Sequence, residues 1–114
     1  MRTTIYKNYG WNKEHIGYCE NNCIFVGYGW NVTSVGEYHD TAIYRGYGWN
    51  KEYVGSAEDG DIYSGQGWSK RLIGTYENGN VYKGYGWGKE LVGTYDGPNG
   101  SAAAAALLLL ILNN

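Results

Sequence analysis

The chain has 114 residues and a formal net charge of −2, and 17% of its residues are aromatic. This length suffices for one domain with a core, and the aromatic content excludes a disordered chain, because disordered chains are poor in such residues. No cluster of Lys and Arg accompanies the small net charge, so we expect no nucleic-acid partner.

The first ten residues show no targeting segment. Met1–Gly10 lacks an apolar stretch after a basic start, so no secretory signal is visible. We therefore expect a cytoplasmic protein.

From residue 5 to residue 99 the chain repeats a 19-residue unit five times. Its clearest markers are the tryptophans Trp11, Trp30, Trp49, Trp68 and Trp87. An aromatic residue precedes each Trp by five positions, and Val or Ile followed by Gly comes five positions after it. Fixed periods of this kind mark repeat architectures. The units span about residues 5–23, 24–42, 43–61, 62–80 and 81–99, and together form a predicted domain over residues 1–100.

Each unit is predicted to be a β-hairpin. Gly, Tyr, Trp, Val and Ile favour a pleated surface, and each Gly would cost a helix about 1 kcal/mol. Asp59-Gly60 and Asn78-Gly79 are typical of two-residue hairpin turns. A second, polar turn is expected around residues 50–52. Five units therefore predict an all-β fold, an antiparallel meander of about ten strands.

The turn at Asn78-Gly79 also predicts a register, in which Tyr76 faces Val81 and Thr75 faces Tyr82. One face then carries Val81, Tyr85, Trp87, Leu72 and Tyr76, and the other carries Tyr82, Ile73, Gly84 and Gly86. Since both faces are partly apolar, we expect the sheet to curl into a half-pipe or closed barrel with the glycine-rich face inside. A bulge near the glycines would shift the register by one residue and exchange the faces.

Residues 101–114 differ in character and form what we call the apolar tail. Residues 102–106 are all Ala, and residues 107–112 are Leu or Ile. These strong helix formers predict a helix over residues 102–112 with Ser101 as its N-cap. The helix is apolar on every side, so it requires burial on every side.

Three interpretations of the apolar tail remain open. The helix plugs or covers a curled sheet, its own or a neighbour's; it contacts a membrane through residues 102–112; or it is a segment added by design. Its apolar part would reach about 16 Å, half of a bilayer core, which argues against a membrane span.

The recurring aromatic residues are the candidate ligand-binding site. Exposed in a ladder, they would provide stacking surfaces for a sugar polymer or a peptide. The candidate residues are Trp11, Trp30, Trp49, Trp68, Trp87, Tyr9, Tyr28, Tyr47 and Tyr85. The alternative, which we favour at this point, is that they fill the hydrophobic layer of the sheet. A residue present in every unit is usually required by the repeat itself.

The cysteines and the recurring glutamates do not predict a catalytic or metal-binding site. Cys19 and Cys23 are expected to be free thiols, since further metal ligands are missing and a disulfide would close only a small loop. Glu14, Glu52 and Glu90 each follow a Lys by one position and are expected to form a solvated edge. We expect no catalytic residues, no metal, no cofactor and no enzyme activity.

The unit Y-x-G-x-G-W-x-K-x-x-V-G-x-Y-x-x-G-x-x-Y-x-G, read with small departures from Tyr63 to Gly84, resembles the MORN repeat over residues 5–97. Two differences are that the unit has 19 residues rather than the longer family unit, and that an extra residue separates Gly65 from Trp68. The resemblance implies a curled sheet of hairpins that serves as an interaction or membrane-associated scaffold.

Three functions follow as hypotheses. The first is a non-catalytic scaffold or interaction module that binds a protein partner or self-associates through unpaired edge strands and the apolar tail. The second is a carbohydrate- or cell-wall-binding module that uses the aromatic ladder. The third is binding to a lipid surface through the apolar tail.

Overall fold

The computed structural model describes residues 2–27 and 29–112, in which ten antiparallel strands close into a barrel. The predicted all-β meander is confirmed. The strands are β1 (Thr3–Lys7), β2 (Glu14–Glu20), β3 (Cys23–Val26), β4 (Thr33–His39), β5 (Ala42–Arg45), β6 (Glu52–Glu58), β7 (Asp61–Ser64), β8 (Arg71–Glu77), β9 (Asn80–Lys83) and β10 (Glu90–Asp96). Each strand pairs with its neighbours in sequence, and β1 also pairs with β10. The unpaired edge strands expected for self-association are therefore absent from this barrel.

The two ends of the barrel are built differently. At one end lie tight hairpin turns, as predicted; Asp59 (φ 54°) and Gly60 (φ 87°) both have the positive φ that a type I′ turn requires. At the other end, longer loops join β1 to β2 and then every second pair of strands. These loops (residues 8–13, 27–32, 46–51, 65–70 and 84–89, residue 28 excepted) contain the tryptophans. We call this end the tryptophan rim.

The register predicted for the Asn78-Gly79 hairpin is confirmed and the other hairpins have the equivalent register, but the assignment of faces is wrong. Tyr76 pairs with Val81 and Thr75 with Tyr82. Between units, however, Ile62 pairs with Gly74 and Tyr63 with Leu72, so Ile73 is an extra residue in a β-bulge. The other units have equivalent bulges at Ile16, Val35, Val54 and Val92. Because a bulge exchanges the faces, Val81 is fully buried inside the barrel and Tyr82 lies on the outer face.

One branched aliphatic residue per unit lines the inside of the barrel. These residues are Ile5, Ile24, Ile43, Ile62 and Val81, and each is fully or almost fully buried. Each pairs across to the glycine of a bulge, as Ile62 does to Gly74. Because glycine has no side chain, the barrel keeps room along its axis. That space is occupied by the apolar tail.

The described part of the apolar tail forms a helix inside its own barrel. It begins as α1 (Gly100–Ala106) and continues as a π-helical segment (Leu107–Ile111), with residues 102–110 buried. The interpretation as a plug of its own sheet is therefore confirmed. No helix of the described part of the chain has the length and apolar character needed to cross a membrane, and contact of residues 102–110 with lipid would require them to leave the barrel.

Asn99, rather than the predicted Ser101, is the N-cap of the helix. The backbone N–H of Asn99 donates to the Thr3 hydroxyl at 2.8 Å, and its side-chain amide donates to the Tyr38 hydroxyl at 3.1 Å. These bonds to β1 and β4 fix where the chain turns into the barrel. The helix therefore begins two residues earlier than its own sequence indicates.

The π-helical segment matches the repeat of the barrel. Leu107, Leu108, Leu109 and Leu110 contact, in that order, Gly93, Gly74, Gly55 and Gly36. Five equal units around a closed barrel are about 72° apart, whereas successive α-helical residues are about 100° apart. A π-helical turn is wider, with about 80° between residues, so consecutive leucines meet consecutive units. The backbone N–H of Leu112 closes the turn by donating to the Leu107 carbonyl at 2.8 Å.

Candidate binding surface at the tryptophan rim

The tryptophans lie in turns that leave the sheet. In the third unit Tyr47 is extended (φ −152°, ψ 165°), and a 3₁₀ turn spans Gly48–Asn50 with Trp49 in the middle. Gly48 has a φ of 67°, which favours glycine. The first, fourth and fifth units have the same turn over Gly10–Asn12, Gly67–Ser69 and Gly86–Gly88. The Gly-x-Gly-Trp sequence therefore ends a strand instead of continuing it.

All five tryptophans are fully exposed, with relative exposures of 101–106% for the whole residue. The interpretation that they fill the hydrophobic layer is therefore wrong, because the turns carry them out of the sheet before they can pack. Tyr9, Tyr47 and Tyr85 are 51–63% exposed, and Gln66 occupies the equivalent position of the fourth unit. Tyr28 lies outside the described residues. The rim thus presents large aromatic side chains to solvent in every unit.

In four of the five loops a lysine folds back over a tyrosine on the outer face of the barrel; the second unit has Val32 at this position. The ammonium of Lys51 lies 5.2 Å from the ring centroid of Tyr44. Equivalent contacts join Lys13 to Tyr6 at 4.2 Å, Lys70 to Tyr63 at 4.4 Å, and Lys89 to Tyr82 at 4.5 Å. Such cation–π contacts contribute about 0.5–1 kcal/mol at exposed sites. They attach four of the loops to the barrel wall.

The loop of Trp49 has an additional anchor in Glu37. One carboxylate oxygen accepts from the Gly48 backbone N–H at 3.1 Å, and the other contacts Lys51 Nζ at 3.3 Å and His39 Nε2 at 3.0 Å. These partners, His39 first, lower the pKa of Glu37 to about 2. The other units have Tyr18, Ser56, Thr75 and Thr94 at this position. This anchor is absent from the sequence-based predictions, although Glu37 is the single Glu at this position of the five units.

Polar side chains accompany the exposed indoles. Asn50 and Lys51 follow Trp49, and Glu52 begins the next strand. Glu14, Glu52 and Glu90 are all exposed, as expected for a solvated edge. Each loop therefore combines an aromatic face with nearby hydrogen-bond donors and acceptors, which suits a ligand that is apolar on one face and hydroxylated at its edges.

The two cysteines lie on opposite faces of the sheet. Cys19 pairs with Ile24 and is fully buried inside the barrel, whereas Cys23 is the next residue before Ile24 and is partly exposed. Neighbouring residues of a strand point to opposite sides, so the two thiols are free and are not positioned for a disulfide. Among the described residues, no three His, Cys, Asp or Glu side chains group closely enough to hold a metal ion.

Comparisons with protein-family models, with curated proteins and with solved structures found no match to this chain. The resemblance to the MORN repeat stays a prediction.

Proposed function

We propose that this chain is a non-catalytic binding module that engages carbohydrate chains through the tryptophan rim. The observation that carries the proposal is the full exposure of all five indoles. Burial of an aromatic side chain removes about 150–250 Å² of its surface from water. Because the fold leaves the five indoles exposed, the free energy of burying them remains available for binding a ligand. Large exposed apolar groups of this kind mark interaction sites.

The chemistry around each indole favours a sugar over other ligands. A pyranose ring has a face of C–H groups that stacks on an indole, while its hydroxyls require hydrogen-bond partners around the ring. Asn50 and Glu52 provide donors and acceptors close in sequence to Trp49, whereas Lys51 is held by Tyr44 and Glu37. The exposed indole recurs in every unit, whereas the polar residues beside it differ between units. A polymer with a repeating unit could therefore occupy several stacking sites. Several weak sites would then add up to a higher avidity.

A protein partner is the second candidate, favoured by the same side chains. Trp and Tyr are enriched among the residues that dominate protein–protein binding energy, and a second copy of this chain presents the same ring of side chains. In this form of the earlier scaffold hypothesis the contact is made by the rim, because the strand edges are paired and residues 102–110 are buried.

Titration with oligosaccharides tests the proposal. We expect indole fluorescence, initially at the wavelength of water-exposed Trp, to shift to the blue with soluble oligomers of glucose, N-acetylglucosamine, xylose or mannose. A variant with all five Trp changed to Ala should lose binding but keep its far-UV circular dichroism, because the indoles do not pack. A variant with only Trp49→Ala should retain weaker binding.

Sedimentation velocity separates the two candidates. If no oligosaccharide shifts the fluorescence, and if the wild-type chain associates with concentration while the five-Trp variant stays monomeric, the carbohydrate proposal is wrong and self-association through the rim replaces it. Binding to oligosaccharides that the five-Trp variant retains would also contradict the proposal.

A further inference from the structure

A ring of cross-strand pairs surrounds the end of the helix at the rim side of the barrel. Three of these pairs combine opposite charges: Lys7 with Glu14, Arg45 with Glu52, and Lys83 with Glu90. Val26 with Thr33 is uncharged. The remaining pair is Ser64 with Arg71, in which a cation has no carboxylate as its cross-strand partner. The fourth unit thus breaks the charge pattern of the ring.

A cleft of about 400 Å³ opens next to this unmatched cation, between the helix and strands β7–β10. Its apolar walls are formed by Ile73, Val92, Leu108, Leu109 and Leu112. Its polar residues are Ser64, Arg71, Lys83 and Glu90. The volume lies within the usual range for small-molecule sites, which combine an apolar lining with a few polar groups.

The cations of the cleft are available to a ligand. Among the described residues, neither Arg71 nor Lys83 takes part in a hydrogen bond or an ion pair. Together with Glu90 they leave one net positive charge at the cleft. A guanidinium suits a carboxylate because its parallel N–H groups can bind both oxygens, and the Ser64 hydroxyl adds a donor.

The helix end, which carries partial negative charge, works against an anion, but its carbonyls are partly occupied. The Leu109 carbonyl accepts from the Arg45 guanidinium at 3.4 Å, and the Leu107 carbonyl accepts from the Leu112 N–H at 2.8 Å. A ligand anion would lie on the opposite wall, at Arg71, and only its apolar part would approach the leucines. This division of the cleft selects an amphipathic ligand over a small inorganic anion.

We propose that the cleft binds a medium-chain alkyl carboxylate, with the carboxylate on Arg71 and Ser64 and the alkyl chain between Leu108, Leu112 and Val92. A chain of about eight carbons fits the volume. This site is separate from the tryptophan rim proposed above, because none of the five tryptophans lines the cleft. It gives the barrel a second ligand of a different chemical class.

Isothermal titration calorimetry of the full chain with octanoate, octan-1-ol and octylamine tests the site. We expect octanoate to bind at least about tenfold more tightly than the other two, because only a carboxylate pairs with the guanidinium. Arg71→Gln should weaken octanoate binding by about tenfold or more. The matched control is Lys7→Gln, which removes a cation of the same ring outside the cleft and should leave the affinity unchanged.

Two further variants test where the alkyl chain lies and whether the cleft is independent of the tryptophan rim. Val92→Phe should block the alkyl chain, and the five-Trp variant should still bind octanoate, since the rim is not involved. Equal binding of octanoate and octan-1-ol, tighter binding of octylamine, no binding of octanoate, or an unchanged affinity in Arg71→Gln would each overturn the proposal. Folding of every variant is checked by far-UV circular dichroism.

Discussion

Leu108 of the central helix occupies the space that a side chain at Gly74 of the barrel wall would need. The neighbouring leucines stand in the same relation to glycines of the adjacent units. The glycine recurs in every unit because a Cβ there would meet a backbone carbonyl of the neighbouring strand, and in four of the units it would also meet a leucine of the helix. The leucine run and the repeated glycine are therefore two parts of one packing arrangement.

Gly74→Ala should destabilise the fold. An added methyl group would collide with the Leu108 side chain and with the Tyr82 backbone carbonyl, and the backbone has little freedom to move. We expect a loss of about 3 kcal/mol in the free energy of unfolding, measured by urea denaturation. Gly88→Ala is the control, since nothing lies within 4 Å of the position of its Cβ; a loss of similar size there would contradict the argument.

Leu107→Ala should create a cavity on the barrel axis. Leu107 is fully buried, and truncation of such a side chain costs about 2–5 kcal/mol. Leu72→Ala makes the same chemical change at a partly exposed position on a strand and should cost clearly less. Urea denaturation followed by circular dichroism compares the two. Equal losses would show that Leu107 does not pack as described.

Glu37 should contribute stability that disappears in acid. Its pKa is lowered from an ordinary value of 4.5 to about 2 in the folded chain, so the folded state holds the carboxylate charged where the unfolded chain is already protonated. The contribution is full above about pH 4.5 and falls as the pH approaches 2. The difference in unfolding midpoint between the wild-type chain and Glu37→Gln should therefore shrink over this range.

A local measurement accompanies the Glu37 prediction. The Gly48 amide donates to this carboxylate, so its proton chemical shift should follow the titration of Glu37 in NMR spectra. In Glu37→Gln the same resonance should no longer move in the acid range. A Gly48 resonance that titrates identically in both proteins would refute the proposed anchor of the Trp49 loop.

The two thiols should differ sharply in reactivity. Burial raises the pKa of Cys19 to about 12, and the side chain has no exposed surface, so it should resist an aromatic disulfide reagent at about pH 8. Cys23 is partly exposed and should react first. Cys23→Ser should abolish the early reaction, and both thiols should react after denaturation. Rapid modification of Cys19 in the folded chain would contradict its position inside the barrel.

The parts of the fold that were predicted correctly depend on local chemistry. The Asn78-Gly79 turn fixes the pairing of Tyr76 with Val81, because Asn and Gly tolerate the positive φ that the turn requires. The need to bury the apolar tail likewise follows from its composition alone. The first inference uses interactions within a few residues, and the second uses only the rule that apolar surface must be buried away from water.

The parts that were predicted incorrectly depend on long-range geometry. The extra residue at Ile73 exchanges the faces of the sheet. The recurring glycine indicates where a bulge can occur, but it does not show that the strand contains one. Trp49 reads as a strand residue by its hydrophobicity, whereas Gly48 carries it into a turn outside the sheet. Asn99 displaces Ser101 as the N-cap through its bonds to Thr3 and Tyr38, both of which are distant in sequence.

The fit between the leucine run and the wall also restricts how such a molecule can evolve. Barrel diameter grows with strand number. Duplication of one unit would therefore leave a gap around the central helix, and deletion of one unit would leave too little space for the helix inside the barrel. The central helix therefore fits only a barrel of five units. Any change in the number of units would require a different core segment.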